Sequence, residues 1–248
     1  MNKINYNIKI VILAGGLGTR LEEYTKHLPK PMVIVDKKPI IVHIINIFLK
    51  SGFTNFYIAG GYKYKVIKNY FSKFKKNNHK FSHKISNKLC DIKVINTGLK
   101  TMTGGRLKRL AQYINKDETF MFTYGDGIAN IDIKKLYKHH LKSKKITTIT
   151  AVRPPARFGE LFLRKNLVSS FKEKPQVMSS WINGGFFISE RKILDFIKND
   201  STILEKEPLE NLSKKRQLNA YKHNKFWKCV DTKRDVTELN KILKKTFF

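Results

Sequence analysis

The chain has 248 residues, 41% of them hydrophobic and 12% aromatic, enough to bury a core in one or two domains and too apolar for a disordered chain. Its 50 Lys and Arg against 19 Asp and Glu give a formal net charge of +31, so nucleic acid, anionic lipid and phosphorylated small molecules are all eligible partners. No segment reaches the roughly 18–20 apolar residues of a membrane span, and the best run, Ile40 to Leu49, is broken by His43 and Asn46.

Near the N-terminus the apolar stretch runs straight into a Gly-rich turn, which does not predict a cleavable signal peptide. Cys90 and Cys229 are isolated and lack metal-ligand spacing, as expected of a reduced, cytoplasmic protein.

Lys9 to Ala14 (KIVILA) is a β-branched run ending in glycines, the pattern of a strand buried on both faces. Pro39 to Lys50 carries apolar residues at helical spacing, with Gly52 as its C-terminal cap. Asn55 to Ala59 predicts the next strand and Tyr64 to Lys75 the next helix. Further strands are expected at Asp91 to Asn96, Thr119 to Tyr124 and Thr147 to Val152, with helices at Arg106 to Ile114 and Ile133 to Lys142. This alternation has the period of βαβ units and predicts an α/β chain with a largely parallel sheet covered on both faces. After Pro154-Pro155 the pattern shortens. Leu161 to Phe171, Trp181 to Ile188 and Asn219 to Trp227 predict strands of mixed direction, and Arg191 to Lys198, Pro208 to Lys215 and Val236 to Lys245 predict helices. The expectation is one domain over residues 1–248 with a C-terminal α+β elaboration. Lys63 to Lys100 holds 11 Lys and a single acid, Asp91. It reads either as a solvated region with an exposed loop around Asn77 to Ser86 or as a polyanion-binding arm.

Chemistry concentrates in a few motifs. Leu13-Ala14-Gly15-Gly16-Leu17-Gly18-Thr19-Arg20 follows a strand, and glycines there let backbone N–H groups approach phosphate oxygens while an Arg adds a bidentate cation. It is not the dinucleotide fingerprint, because Leu21 stands in place of the third glycine, and no Gly-Lys-Ser/Thr follows as in a Walker A loop. Pro29-Lys30-Pro31-Met32 then presents Lys30 between two rigid prolines. Asp126, between Gly125 and Gly127, closes a predicted central strand, where open α/β sheets bind ligands and where Mg²⁺ takes one or two carboxylates. Asp231 offers a second carboxylate 105 residues on, a separation that says nothing about distance. Met102-Thr103-Gly104-Gly105-Arg106, Phe171-Lys172-Glu173-Lys174-Pro175 and Ile182-Asn183-Gly184-Gly185-Phe186-Phe187 complete the set. Singly each reads as a turn; together they suggest a site for a phosphorylated, hydroxyl-rich ligand.

The ordered series LAGGLGTRL, PKPM, GGY, TGGRLKR, FTYGDG, RFGEL, FKEKP, INGGFF, EPLE, FW and DT resembles the sugar-nucleotide pyrophosphorylases, and within them the cytidylyltransferase branch, from about Ile8 to Asp235. The resemblance implies a Rossmann-like nucleotidyltransferase fold with a mixed, mostly parallel central sheet. Residues from about 8 to 153 would form a nucleotide-binding half and those from about 154 to 248 a sugar-phosphate-binding part. It further implies Mg²⁺-dependent conversion of CTP and glucose 1-phosphate to CDP-glucose and pyrophosphate by a homo-oligomer, with no membrane or specific nucleic-acid partner. Leu13, Ala14, Gly15, Gly16, Gly18, Thr19, Arg20, Lys30, Thr103, Gly105 and Arg106 would bind the nucleotide, Arg106 lying near the cytosine. Asp126 and Asp231 would hold the metal, and with Arg20 and Lys30 would be catalytic. Tyr124, Glu173, Lys174, Asn183 and Gly184 would bind the sugar phosphate. The chain departs from the pattern at Val230, where the family usually has Met, and at Ala156, where it has Gly. A pyrophosphorylase for another nucleotide or sugar stays open, as does a basic nucleic-acid-binding protein, although no zinc finger, RNP signature or basic heptad is present.

Overall fold

In the computed structural model, which describes residues 4–73, 82–116, 118–154, 159–172 and 180–245, β1 (Lys9–Ala14) lies in the interior of an eight-stranded sheet. Its alternation of side chains splits the interior in two. Ile10, Ile12 and Ala14 enter one buried cluster while Val11 and Leu13 enter the other, on the opposite face. A strand buried on both faces has no need for polar residues, which is why this run is so uniformly apolar.

The following elements are α1 (Glu22–Thr25), β2 (Ile34–Val35), β3 (Lys38–Pro39), α2 (Ile40–Lys50), β4 (Asn55–Gly60), α3 (Tyr64–Ser72), β5 (Ser82–Ile85), β6 (Lys88–Asn96), α4 (Thr103–Arg109) and β7 (Thr119–Tyr124). After them come β8 (Gly127–Ala129), α5 (Ile133–Ser143), β9 (Thr147–Val152), β10 (Glu160–Arg164), β11 (Leu167–Lys172), β12 (Ile182–Glu190), α6 (Glu207–Lys214), β13 (Leu218–His223), β14 (Trp227–Cys229) and α7 (Lys233–Lys245). The main sheet has the order β13-β9-β12-β7-β1-β4-β6-β5. Parallel pairing joins β1 to β4 and β7, β4 to β6, and β9 to β13, whereas β12 and β5 pair antiparallel with their neighbours. Six strands therefore run one way and two the other. The mixed, mostly parallel α/β sheet is as expected.

Helices α2, α3, α5 and α7 bury their apolar stripes in the first cluster; α4 and α6 bury theirs in the second. Three differences from the sequence reading have physical reasons. The stretch expected as a loop up to Ser86 contains β5, which turns at Ser86-Asn87, both at positive φ, back into β6; residues 77–81 lie outside the described residues. The helix expected from Arg106 starts earlier, at Thr103: the N–H groups of Gly104 and Gly105 in its first turn donate to Thr202 O at 3.0 and 3.3 Å, and both glycines lie against the backbone of Thr202 and Asp200, where a side chain would collide. Leu161 to Phe171 is a hairpin of β10 and β11 rather than one strand, with Leu161, Phe162, Leu163, Leu167 and Val168 exposed. Among the described residues no helix is long and apolar enough to cross a membrane.

One polar network ties α5 to the sheet. Buried His140 makes hydrogen bonds to Thr148 Oγ1 at 2.9 Å and Glu190 Oε1 at 3.2 Å, and Thr119 Oγ1 donates to the same Glu190 oxygen at 2.9 Å. The His140 hydrogen bond holds the Glu190 carboxyl below its ordinary value; burial opposes this, while Thr119 and Lys192 add to it. A carboxylate with a depressed folded-state pKa stabilises above the unfolded value, and that contribution is lost as pH falls through the folded one. Thermal melts should therefore show an acid-side decline that begins below about pH 4.5. In Glu190→Gln the decline should be shallower and stability at neutral pH lower. An identical acid profile in the variant would remove Glu190 from this role.

Candidate active site

Parallel strands leave their carboxyl ends along one edge of the sheet, and there a cleft of about 1330 Å³ opens. The end of β1 supplies Leu13, Ala14, Gly15 and Gly16, and the following turn supplies Gly18, Thr19 and Arg20. Tyr124 and Asp126 come from the end of β7. Because β12 is antiparallel, its amino end brings Asn183 and Gly184 to the same edge. Gly185 sits there at φ +81° over the Tyr124 ring, a conformation and a contact that exclude a side chain.

The two carboxylates meet because two very short strands pair. In the β8–β14 ladder Cys229 lies opposite Gly127, and the next N–H, of Val230, donates to the Asp126 carbonyl at 3.0 Å. This sets Asp231 beside Asp126. Between them stands the Lys30 ammonium, donating to Asp126 Oδ2 at 2.7 Å and to Asp231 Oδ1 at 2.8 Å. Burial alone would draw Lys30 down, but the Asp126 charge and the hydrogen bonds to both carboxylates hold its pKa above the ordinary value. Arg20 Nη1 reaches Asp231 Oδ2 at 3.0 Å from a far more exposed position, its side chain 74% accessible against 12% for Lys30.

The carboxylates of Asp126 and Asp231 and the Cys229 thiol bring one donor atom each within 4.8 Å of one another. Burial, then the Asp126 charge, pushes the Cys229 thiol up, so it stays protonated. The seated ammonium shows that the carboxylate pair accepts a cation, and hard oxygen donors suit a divalent ion such as Mg²⁺.

Arg106 lines the cleft with its guanidinium turned into the protein, and it is only 4% exposed. Nη1 donates to Thr97 Oγ1 at 2.8 Å, Gly98 O at 2.7 Å and, at 3.4 Å, Gly60 O; Nη2 donates to Gly15 O at 2.8 Å and Leu99 O at 3.3 Å. A Cβ on Gly15 would fall 2.2 Å from the guanidinium carbon. Glycine there is required by close approach of an arginine.

Of the expected residues, Leu13, Ala14, Gly15, Gly16, Gly18, Thr19, Arg20, Lys30, Thr103, Arg106, Tyr124, Asp126, Asn183, Gly184 and Asp231 line this one cleft. Gly105 does not; it packs α4 against the Asp200 backbone. Glu173 and Lys174 lie outside the described residues. The motif reading missed Glu205, which accepts from Tyr124 Oη at 2.5 Å and Thr103 Oγ1 at 2.7 Å. It also missed the placement of Cys229, whose isolation in the sequence argued against a site. The one available signal was its position two residues before Asp231.

Removing the ammonium would leave two carboxylates face to face, and an exogenous divalent ion would then compete only with the exposed Arg20 for one oxygen of Asp231. Opposite unit charges about 4 Å apart near a protein surface attract by about 4 kcal/mol. Lys30→Met should therefore bind Mn²⁺ without nucleotide at least about tenfold more tightly than the parent chain, read as loss of the free Mn²⁺ EPR signal. Unchanged Mn²⁺ affinity would show that Lys30 does not occupy the cation position in solution.

Residues 9–246 match the nucleotidyl transferase family model. The chain is 43% identical, over 96% of each chain, to a glucose-1-phosphate cytidylyltransferase of Salmonella typhimurium. It is 36% identical to a probable glucose-1-phosphate cytidylyltransferase of Bacillus subtilis, covering 95% of this chain and 96% of that one. Among solved structures, HddC from Yersinia pseudotuberculosis complexed with GMP-PN superposes with a TM-score of 0.70 at 25% identity, covering 95% of this chain and 99% of that one. With a match that takes in the Gly-rich turn, both carboxylates and the sheet that carries them, this chain belongs to the nucleotidyl transferase family.

Proposed function

We propose that this chain is a glucose-1-phosphate cytidylyltransferase that uses CTP, glucose 1-phosphate and Mg²⁺ to make CDP-glucose and pyrophosphate. The observation that carries this reading is the 43% identity to the Salmonella enzyme over nearly the full length of both chains. The cleft supports it, since glycine-lined backbone, Arg20, Lys30 and paired carboxylates stand together at one sheet edge. In this reading the part up to about residue 153 takes the nucleotide, and the later part contributes Asn183, Gly184 and Asp231.

The chemistry needs no base from the protein. A sugar phosphate is already an oxyanion, and it attacks the α-phosphorus in line as pyrophosphate leaves. What the protein must do is bring two polyanions together and neutralise charge as it shifts. The N–H groups of Gly15, Gly16 and Gly18 face the triphosphate, with Thr19 and Arg20 beside them. Asp126 and Asp231 would hold Mg²⁺ in the position that the Lys30 ammonium takes in this structure, which would free Lys30 to lie along the phosphates, and the ion when bound would supply charge neutralisation at the phosphoryl oxygens. Tyr124 cannot serve as a base, because burial and then the Glu205 charge push its phenol far up and keep it a donor.

Arg106 takes a different part from the one the motif suggested. Its donors are directed at protein oxygens, so it fixes the Gly15 carbonyl and the turn after β6 rather than the base. Arg106→Ala is accordingly expected to lower kcat/KM with CTP and with UTP by the same factor, about tenfold or more, as a buried cluster of acceptors loses its donor. A loss confined to CTP would return Arg106 to the base.

Measuring pyrophosphate release with each nucleoside triphosphate and sugar 1-phosphate pair tests the whole assignment; CTP with glucose 1-phosphate should be the best substrate pair. Asp126→Asn and Asp231→Asn should each lower that rate by about a hundredfold or more while leaving the chain folded. Retained turnover in either variant under Mg²⁺ would remove the metal assignment.

A further inference from the structure

Of the carboxylates lining the cleft that the reading above leaves without a task, Asp235 and Glu238 are paired with Lys228, and Glu238 also with Arg234, whereas Glu205 has no such ion pair among the described residues. It stands two residues ahead of α6, exposed to the cleft. Both of its oxygens are held: Oε1 by Tyr124 Oη at 2.5 Å and Oε2 by Thr103 Oγ1 at 2.7 Å. The holders are themselves fixed. Leu204 N–H donates to Thr103 Oγ1 at 2.9 Å, Asn183 Nδ2 donates to Tyr124 Oη at 3.2 Å, and Gly185 N–H donates to Asn183 Oδ1 at 2.8 Å. Residues from β7, α4, β12 and the turn before α6 thus form one chain of hydrogen bonds that ends on a carboxylate.

The chemistry of that end is specific. Among the described residues the hydrogen-bond partners of Glu205 are neutral hydroxyls, so its negative charge is not cancelled by a bonded cation, and each oxygen keeps a second acceptor site. Such a group repels phosphate and accepts from hydroxyls. It is joined through Tyr124 to Asn183 of β12, a strand separated from β1 by β7 in the sheet. Two ligand parts carry vicinal hydroxyls, the hexose ring and the ribose, and the connection to Asn183 favours the hexose.

We propose that Glu205 is a specificity-determining residue whose carboxylate, fixed by Tyr124 and Thr103, accepts hydrogen bonds from ring hydroxyls of the sugar 1-phosphate. This deepens the cytidylyltransferase reading and rests on it. A hydroxyl recognised by a charged acceptor is lost at a cost of about ten- to hundredfold. Replacing the acceptor and deleting the hydroxyl should therefore be non-additive.

The test is a cycle on the full chain. Glu205→Gln should raise KM for glucose 1-phosphate about ten- to hundredfold and move KM for CTP by less than about threefold. One monodeoxy glucose 1-phosphate from the 2-, 3-, 4- and 6-deoxy series should lose a similar factor on the parent chain and lose little further on Glu205→Gln. Glu205→Asp, which keeps the charge, should recover part of the loss, and thermal melts should place both variants near the parent. Additive losses for every deoxy sugar would overturn the proposal, as would coupling to 2′-deoxy-CTP instead, which would assign Glu205 to the ribose. If Glu205→Gln melts well below the parent, the cycle on Glu205→Asp decides on the same criterion. Absence of pyrophosphate release by the parent chain with any pair would overturn the cytidylyltransferase reading and this proposal together, whereas activity with an uncoupled cycle overturns this proposal alone.

Discussion

Asp126 and Asp231 lie close enough to repel each other, and the ammonium of Lys30 between them is the interaction on which the architecture of the cleft depends. A cation at hydrogen-bond distance from both turns a repulsive pair into a clamp. The clamp closes the chain on itself, since Lys30 follows the Gly-rich turn, Asp126 ends the central sheet and Asp231 leads into the last helix. Breaking a partly buried ionic cluster by removing one member costs far more than the cluster contributes over an apolar replacement. The same three groups therefore constrain both fold and chemistry. Asp235 extends the arrangement: its Oδ2 accepts the N–H groups of Asp231 and Thr232 at 3.1 and 2.8 Å. Despite burial, these hydrogen bonds and those of the Thr232 hydroxyl and Lys228 hold its carboxyl below the ordinary value. The backbone carrying Asp231 is fixed from behind.

The cations divide by freedom. Lys30 is nearly enclosed and bonded to both carboxylates, whereas Arg20 meets Asp231 from the surface, where an ion pair contributes about 0–1 kcal/mol. A polyanion entering the cleft can draw Arg20 away at little cost. Arg106 belongs to neither class. It acts inward, binding the carbonyls of Gly15, Gly98 and Leu99 and so joining the turns after β1 and β6 into one rim. A rim held in this way presents its N–H groups without reorganisation, which is the condition for electrostatic catalysis by backbone dipoles.

How much of this was legible in the sequence depends on the range of the interactions. Strands β1, β7 and β9 have the boundaries that their β-branched and aromatic runs predict, because burial on both faces writes itself into local composition. The hairpins at Asp36-Lys37, Ser86-Asn87 and Lys165-Asn166 were invisible, since their turns adopt positive φ without the glycine that usually announces one. The candidate site was legible as a set of motifs but not as a geometry. What joins Asp126 to Asp231 is a ladder of three residue pairs between β8 and β14, too short for any periodicity to show, so the pairing rested on family resemblance. Arg106 was legible as a cationic residue in a glycine-rich motif, yet its direction follows from carbonyls on the turns after β1 and β6 and at the end of β4. Glu205 carried no signal because its partners lie 81 and 102 residues away.

The cleft is thereby sorted by the kind of oxygen it can receive. Around the Gly-rich turn stand N–H groups, an arginine and a lysine, the two cations paired with Asp126 and Asp231, and with a divalent ion on those carboxylates this region would favour oxygens that carry charge. Beyond Tyr124 stand a phenol held protonated, an amide and a carboxylate, a set that favours neutral hydroxyls. A bound sugar phosphate contains both kinds of oxygen a few bonds apart, so it can satisfy both regions in one orientation only. Reversing it would set phosphate against Glu205 and leave hydroxyls against cations that prefer anions. In the proposed complex this placement of charge would orient the nucleophilic oxygen toward the triphosphate, and orientation is the larger part of what a reaction between two polyanions requires.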